Sequence, residues 1–277
     1  MGYTSLYLSL IVIIPLGGLF WKSATLPWPD FKQALTDPEL LSSLKVTFGL
    51  SLAAATINAV LGFIVAWTLV RYPFPGRRLV DGLIDLPFAL PTAVSGITLA
   101  TLYANNGWLG NLGGNLEHLL HLSTGSLRLL NFTAAYTKIG MLLALIFISF
   151  PFIVRTLQPA LADLDPEVEE AAASLGASHS QSFFRIILPA VLPALLTGFS
   201  LAFARAVGEY GSVIFISSNK PMDSEITAHM IMKEVENNQI ARATTLGLVM
   251  LVVSFAMLAA INTLQGWSTR RGKAGAV

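Results

Sequence analysis

Six long apolar runs, divided by shorter polar stretches, set the pattern of this chain. They cover residues 3–21, 46–70, 83–103, 134–157, 190–216 and 244–264. Each is close to the about 20 apolar residues that a helix needs to cross a bilayer, so the pattern predicts six transmembrane helices. The first run has no basic stretch ahead of it and no A-x-A-like site behind it, which makes it a span and not a signal peptide. It starts so near the first residue that a few native residues are expected upstream. Pro87 and Pro91 interrupt the third run, and Pro151 lies near the end of the fourth. Proline frees helix carbonyls, and within lipid those carbonyls need partners. The third span is therefore either simply kinked or turned toward other protein or a cavity.

Composition agrees with this pattern. The chain has 277 residues, 54% hydrophobic and 12% charged, against about 25% charged in an ordinary soluble domain. Mean hydropathy is +0.66. The fold class these features predict is an all-α membrane protein, a single domain over residues 1–277. A net charge of +1 gives no reason to expect nucleic acid. With no cysteine there is no disulfide, thiolate metal site or thiol nucleophile. His118 and His121 are a weak metal signal and are read as structural or solvated, so no metal site is assigned. No G-x-x-x-x-G-K-[ST] is present to cradle ATP phosphates, and no H-E-x-x-H or G-x-S-x-G to support hydrolysis. The chain is read as non-catalytic, with no cofactor of its own.

With both termini cytoplasmic, the inner segments are 71–82, 158–189 and 265–277, and the outer ones 22–45, 104–133 and 217–243. Lysine and arginine divide evenly between the sides. The inner side gathers its share into fewer residues, with clusters at Arg71, Arg77 and Arg78 and at Arg270, Arg271 and Lys273. The positive-inside rule favours this orientation. Pro73 to Gly76 reads as a tight inner turn. The charges from Lys233 to Glu236 read as a solvated outer face or a contact with a delivery protein.

The segment 163–189 does not match its apolar surroundings. Asp165 is a good N-cap, Pro166 suits the first helical position, and Glu167, Glu169 and Glu170 follow in the first turns. Val168, Ala172 and Leu175 share one face. Gly176 ends this helix, and Ser178 with Gln181 forms a capping box for a second one. The result is a bent pair of short helices, too polar to enter lipid and too well capped to be a slack linker. It is either a hairpin packed on its own domain or a docking knob for another protein, with Glu170 as anchor.

This segment resembles the EAA loop of permease subunits of ATP-driven (ABC) importers. The pattern is E-A-A, three residues, G, nine residues, I-x-L-P. Glu170, Ala171 and Ala172 open it, Gly176 follows at the right spacing, and Ile186, Leu188 and Pro189 close it. The resemblance implies a type I ABC importer permease fold of six spans, with this loop as the cytoplasmic coupling helix that seats on a separate ATPase. It further implies a cytoplasmic ATPase dimer that holds the ATP and Mg, a second and related permease, and an extracytoplasmic binding protein. Three stretches, residues 86–110, 205–225 and 244–265, are similar to the T subunit of sulfate/thiosulfate permeases. Molybdate/tungstate permeases, which work as homodimers, share some of these features and remain the alternative. A stand-alone secondary transporter is the other alternative, although such proteins commonly carry inverted repeats and none is evident here. The membrane implied is the bacterial plasma (inner) membrane, or that of a plastid.

Arg205 and Glu209 lie one turn apart inside the fifth run. Charges at membrane depth face an interior or a water-filled route. They form either a self-neutralising pair that holds helices together or part of an anion pathway, with Tyr210 beside them. A tetrahedral dianion can be held by neutral donors and helix N-termini. Thr92, Ser95, Thr98 and Asn58 are candidate pathway groups on that basis, although for each the ordinary reading is an interhelical hydrogen bonder.

Overall fold

The computed structural model describes residues 2–119 and 131–274, and among these every regular element is a helix. His121 and most of the second half of the outer segment 104–133 lie outside the described residues. Helix α1 (Gly2–Ser23) is followed by α2 (Trp28–Thr36) and by α3 (Pro38–Arg71). The third helix begins earlier than the apolar run because Asp37 caps it, accepting the Glu39 N–H at 2.9 Å, with Pro38 in the first turn. After a turn come α4 (Arg77–Ile84), α5 (Leu86–Ala89), α6 (Thr92–Tyr103) and α7 (Leu112–Leu119). Then follow α8 (Lys138–Ala162), α9 (Pro166–Ser174) and α10 (His179–Ser182). A π-helical turn over Phe183–Ile187 leads into α11 (Leu188–Val207). The chain closes with α12 (Val213–Ile216), α13 (Thr227–Glu236) and α14 (Ile240–Ala274).

Among the described residues, five stretches are long and apolar enough to cross a membrane: Leu6–Ser23, Pro38–Arg71, Lys138–Ala162, His179–Val207 and Ile240–Thr263. The third run, 83–103, is not one helix. Its apolar part α6 has 12 residues, too few to span alone. The break has a local cause: Leu90 precedes Pro91 and takes an extended conformation, ψ 135°, because the proline ring disfavours the helical region for the residue before it. The fifth run, 190–216, is also divided. Helix α11 stops at Val207, residues 208–212 are non-helical, and α12 resumes for one turn.

Helices α3, α8 and α11 pack mutually and form the core, with Phe63, Leu69, Leu157, Leu161, Val191 and Phe203 buried between them. Small residues allow the close approach that replaces a hydrophobic drive in lipid. A Cβ on Gly62 of α3 would sit 2.9 Å from the Ile153 Cβ of α8, and one on Gly198 of α11 would sit 3.2 Å from the Ile153 Cα. Asn58 adds a polar bracket, donating from Nδ2 to the Ile146 carbonyl at 3.0 Å and to Ser149 Oγ at 2.9 Å. These bonds fall just before Pro151, where α8 loses one of its own backbone donors. Helix α14 packs on α11 and α13, and α1 lies against α14.

Candidate functional site

The polar segment between α8 and α11 has the bent geometry its residues encode. Asp165 accepts the Glu167 N–H at 2.9 Å. The far end of α9 closes in a Schellman arrangement: Ala177 N–H donates to the Ala172 carbonyl at 3.0 Å, and Gly176 N–H to the Ala173 carbonyl at 2.9 Å. Gly176 has φ +83°, the left-handed conformation that glycine adopts without strain. Ser178 and Gln181 form both halves of the capping box. The π turn then carries the chain past Pro189, which has no N–H, by letting Leu188 N–H reach back to the Phe183 carbonyl.

This elbow is fixed at its base and open at its tip. From the end of α3, Arg71 donates to Glu169 Oε1 at 2.6 Å and to the Leu164 carbonyl at 3.3 Å, and lies over the Trp67 ring. Phe183 packs edge-on against Phe63, with ring centroids 5.5 Å apart, and against Trp67. Between α3 and the elbow is a cleft of about 660 Å³ whose walls include Trp67, Glu170, Phe183 and Phe184. Of the face shared by Val168, Ala172 and Leu175, only Ala172 is covered by this chain. Val168 is 43% exposed and Leu175 90% exposed. Glu170 and Ala171 are exposed, Ile186 and Leu188 half-buried, and Pro189 exposed. Among the described residues Glu170 makes no ion pair.

Behind the elbow is an ion cluster that the apolar pattern did not reveal. Arg155 of α8 engages its whole guanidinium. Nε and Nη2 form a fork on Asp85 at 2.9 and 2.6 Å, Nη1 reaches Asp81 Oδ1 and Gln158 Oε1 at 2.7 Å each, and Nη2 also meets the Asp81 carbonyl at 2.8 Å. Hydrogen bonds from Gln158 and then Arg155 hold the Asp81 carboxyl below its ordinary range. Asp81 and Asp85 sit one turn apart around the end of α4, so their i,i+4 spacing was the available signal.

The two broken runs meet each other. A Cβ on Gly211 would lie 2.2 Å from Thr92 Oγ1, and one on Gly96 would lie 2.3 Å from the Ser212 carbonyl. The non-helical stretch 208–212 therefore rests directly on the first turns of α6. Non-helical backbone at such a depth is tolerated where protein or a water-filled route covers it. Glu209 holds the stretch together: Oε2 accepts from Arg205 Nη1 at 2.6 Å, and Oε1 from the Ser212 N–H at 2.8 Å and Oγ at 3.1 Å. The Glu209 side chain is only 2% exposed, whereas that of Arg205 is 31% exposed. Thr92 and Tyr210 are half-buried, and Ser95 is buried beside them on α6. Thr98 is exposed. Asn58 is elsewhere, enclosed between α3 and α8 with its amide nitrogen engaged.

At the opposite end from the elbow, Lys233 is not part of a free solvated face. Its Nζ bonds Glu39 at 2.7 Å and Glu225 at 3.2 Å, joining α13 to the head of α3. Arg242 likewise joins Asp37 at 2.8 Å. Burial, and then the neighbouring Glu39, push the Glu225 carboxyl up, against the pull of Lys233. Burial acts to lower the Lys233 pKa, but bonds to Glu39 and Glu225 outweigh it and leave it raised.

Comparison with known proteins gives this geometry a family. The sulfate transport system permease protein CysT of Synechococcus elongatus is 48% identical over 97% of this chain and 91% of its own length. The protein of that name from Escherichia coli (strain K12) is 40% identical over 98% and 93%. A probable sulfate transport system permease protein cysT from Nephroselmis olivacea is 45% identical over 95% and 87%. Among solved structures, a chain of a bacterial alginate ABC transporter in complex with an alginate pentasaccharide-bound periplasmic protein superposes with a TM-score of 0.73 at 16% identity, over 94% of this chain and 90% of that one. A methionine ABC transporter, MetNI, in inward-facing conformations gives a TM-score of 0.59 at 14% identity, over 88% of this chain and 99% of that one. The fold is that of type I ABC importer permeases. Residues 58–273 match the family described as binding-protein-dependent transport system inner membrane component, and the chain belongs to that family.

Proposed function

We propose that this chain is the membrane subunit of an ATP-driven importer that moves sulfate or thiosulfate across the bacterial plasma membrane. The names of its relatives support the solute class. The observation that carries the coupling is the elbow: doubly capped, pinned at its base by Arg71, and carrying uncovered Val168, Glu170 and Leu175 at its tip. A rigid knob with an open apolar face and an unpaired carboxylate fits the groove of a soluble partner. In this reading that partner is a cytoplasmic ATPase dimer, which holds ATP and Mg, since this chain has no phosphate loop of its own. Glu170, Ala171, Ala172 and Gly176 form the contact, and Ile186, Leu188 and Pro189 connect it to α11.

The broken run 83–103, from the last residues of α4 through α5 and α6, completes a third crossing, giving six in all. ATP-driven closure of the ATPase pulls the elbow, and α8 passes that motion through Arg155 to the segment around Asp85. The break at Pro91 and the stretch 208–212 then shift together between inward-open and outward-open arrangements, a two-state element biased by a ligand. The anion passes Thr92 and Ser95 at the head of α6, where a helix N-terminus favours negative charge. Glu209 offsets the charge of Arg205 and fixes its position beside Tyr210, while Asn58 serves by holding α3 to α8. A second, related permease forms a heterodimer with this chain, and an extracytoplasmic binding protein delivers solute.

The test is co-purification with the ATPase together with uptake of labelled sulfate. Glu170→Lys is expected to abolish both, and Arg205→Ala to lower uptake with the ATPase still bound. Uptake that persists in cells lacking the ATPase contradicts the reading. Competition by molybdate stronger than that by thiosulfate assigns the solute to the molybdate class instead.

A further inference from the structure

The amphipathic helix α4 has no role in the reading above beyond carrying Asp81 and leading to Asp85 at its end. It has eight residues, RRLVDGLI, and follows the turn at Gly76, whose φ is +84°. Only Ile84 is buried, within the main core cluster, and Asp81 is half-buried against Arg155. The rest of the helix is uncovered. Leu79 is 68% exposed and Leu83 49%, and these two lie four residues apart on one side. The apolar strip continues beyond α4 into Leu86 and Phe88, which are also exposed. Next to it are Arg77 and Arg78, both exposed, and neither makes an ion pair among the described residues. Arg77 does feel Asp81 one turn on.

Two clefts open between these arginines and their surroundings. One, of about 320 Å³, is lined by Arg77, Arg78, Asp81 and Gln158. The other, of about 350 Å³, is lined by the same two arginines with Pro73, Phe74 and Gly76. The helix lies at the end of the bundle where α3 finishes at Arg71 and α8 runs into the elbow. That is the level at which a membrane-spanning helix leaves the hydrocarbon. Apolar side chains flanked by unpaired arginines at that level match a phospholipid, with acyl chain against leucine and phosphate against guanidinium.

We propose that α4 is a docking surface for anionic phospholipid, with the headgroup phosphate held between Arg77 and Arg78 and the acyl chains along Leu79, Leu83 and Phe88. Charge complementarity selects the occupant: Asp81 and Asp85 are partly exposed but paired with Arg155, so the charge left without an ion-pair partner among the described residues is that of Arg77 and Arg78, and exposed Leu79, Leu83 and Phe88 are on the same segment. Because Asp81 and Asp85 are on the same short segment, a lipid seated here also bears on the Arg155 cluster. The proposal needs only the membrane position of α4 and stands apart from the identity of the transported solute.

The test is lipid retention by the full chain purified from mixed phosphatidylglycerol and phosphatidylcholine bilayers, read by mass spectrometry of the intact protein. Wild type is expected to retain phosphatidylglycerol in preference to phosphatidylcholine. Arg77→Gln or Arg78→Gln should each lower that preference about fivefold, and the double variant on the order of 30-fold. Lys32→Gln, the same loss of charge on α2, should leave it unchanged. Equal loss in Lys32→Gln, or unaltered preference in the double variant, overturns the proposal. So does displacement of phosphatidylglycerol by inorganic phosphate, which would make this a free-anion site. Loss of ATPase co-purification in the double variant with lipid preference intact would make it a protein contact instead. Should the double variant fail to assemble, the single variants and Leu79→Ser, each changing one group on an exposed surface, are read on the same scale, and no loss in any of them overturns the proposal.

Discussion

Gly176 and Gly62 are two glycines with different reasons to be glycine. At Gly176 the constraint is backbone: φ of +83° lets the Schellman turn close, and nothing lies within 4 Å of a Cβ there. Gly176→Val should therefore cost about 1–2 kcal/mol through conformation alone, and should loosen ATPase co-purification more than it lowers the thermal midpoint. An unchanged co-purification would mean the bend is not needed for docking. At Gly62 the constraint is space, because Ile153 fills the place of a side chain. Gly62→Ala is expected to destabilise the purified chain by about 1–3 kcal/mol through overpacking, read as a lower thermal midpoint with the elbow unaffected. His229 is a third case. Burial and the nearby Lys233 charge hold its pKa below the ordinary 6.5, so the folded chain favours the neutral ring. Stability from this group is intact above pH 6.5 and is lost as pH falls through the lowered folded value. Glu225, held up by burial, acts in the opposite sense and loses its contribution as pH rises through its raised value. The thermal midpoint of wild type should thus fall more between about pH 7 and about pH 5 than that of His229→Gln, because the variant has no imidazole to charge. Identical pH profiles would contradict this account of the α13 anchorage.

At the scale of elements, legibility followed locality. The elbow was readable because its signals act within four residues: Asp165 and Ser178 cap their own helices, and Gly176 turns its own backbone. Both helix breaks announced themselves less fully. Pro91 signalled a disturbance in the third run but not that α4, α5 and α6 would be separate pieces. Nothing in the fifth run required a stop at Val207, since the stretch 208–212 is held by Glu209 bonding to Ser212 and by contact with α6. Tertiary contact decides such a case, and a hydropathy window does not contain it. The Arg155 cluster was missed for the same reason: Arg155 and Asp85 are 70 residues apart in the chain. This cluster connects the helix that enters the elbow with the segment that leads into the broken third run. Arg155→Gln should leave the ATPase bound yet lower the amount of solute moved per ATP by about tenfold, the size of a typical coupling between sites. An unchanged ratio would reduce Arg155 to a packing role.

At the scale of the whole molecule, the chain is three packed helices surrounded by less secured parts. Helices α3, α8 and α11 share small-residue contacts and one buried core. Helix α1 is nearly bare, with 6% of its apolar stretch buried. A chain so open on its flanks, with an uncovered knob at one end, is built to be completed by lipid and by other subunits. The central claim concerns that knob, and the natural absence of cysteine allows it to be tested directly. A single Leu175→Cys variant, at a position of the elbow that is 90% exposed, can be probed in sealed vesicles that contain the assembled transporter, using a membrane-impermeant thiol reagent and a short cross-linker. The account expects labelling from the cytosolic side alone, and cross-linking to the ATPase subunit that changes when ATP is added. Labelling from the outer side, or a freely reactive thiol that never cross-links to the ATPase, would contradict it.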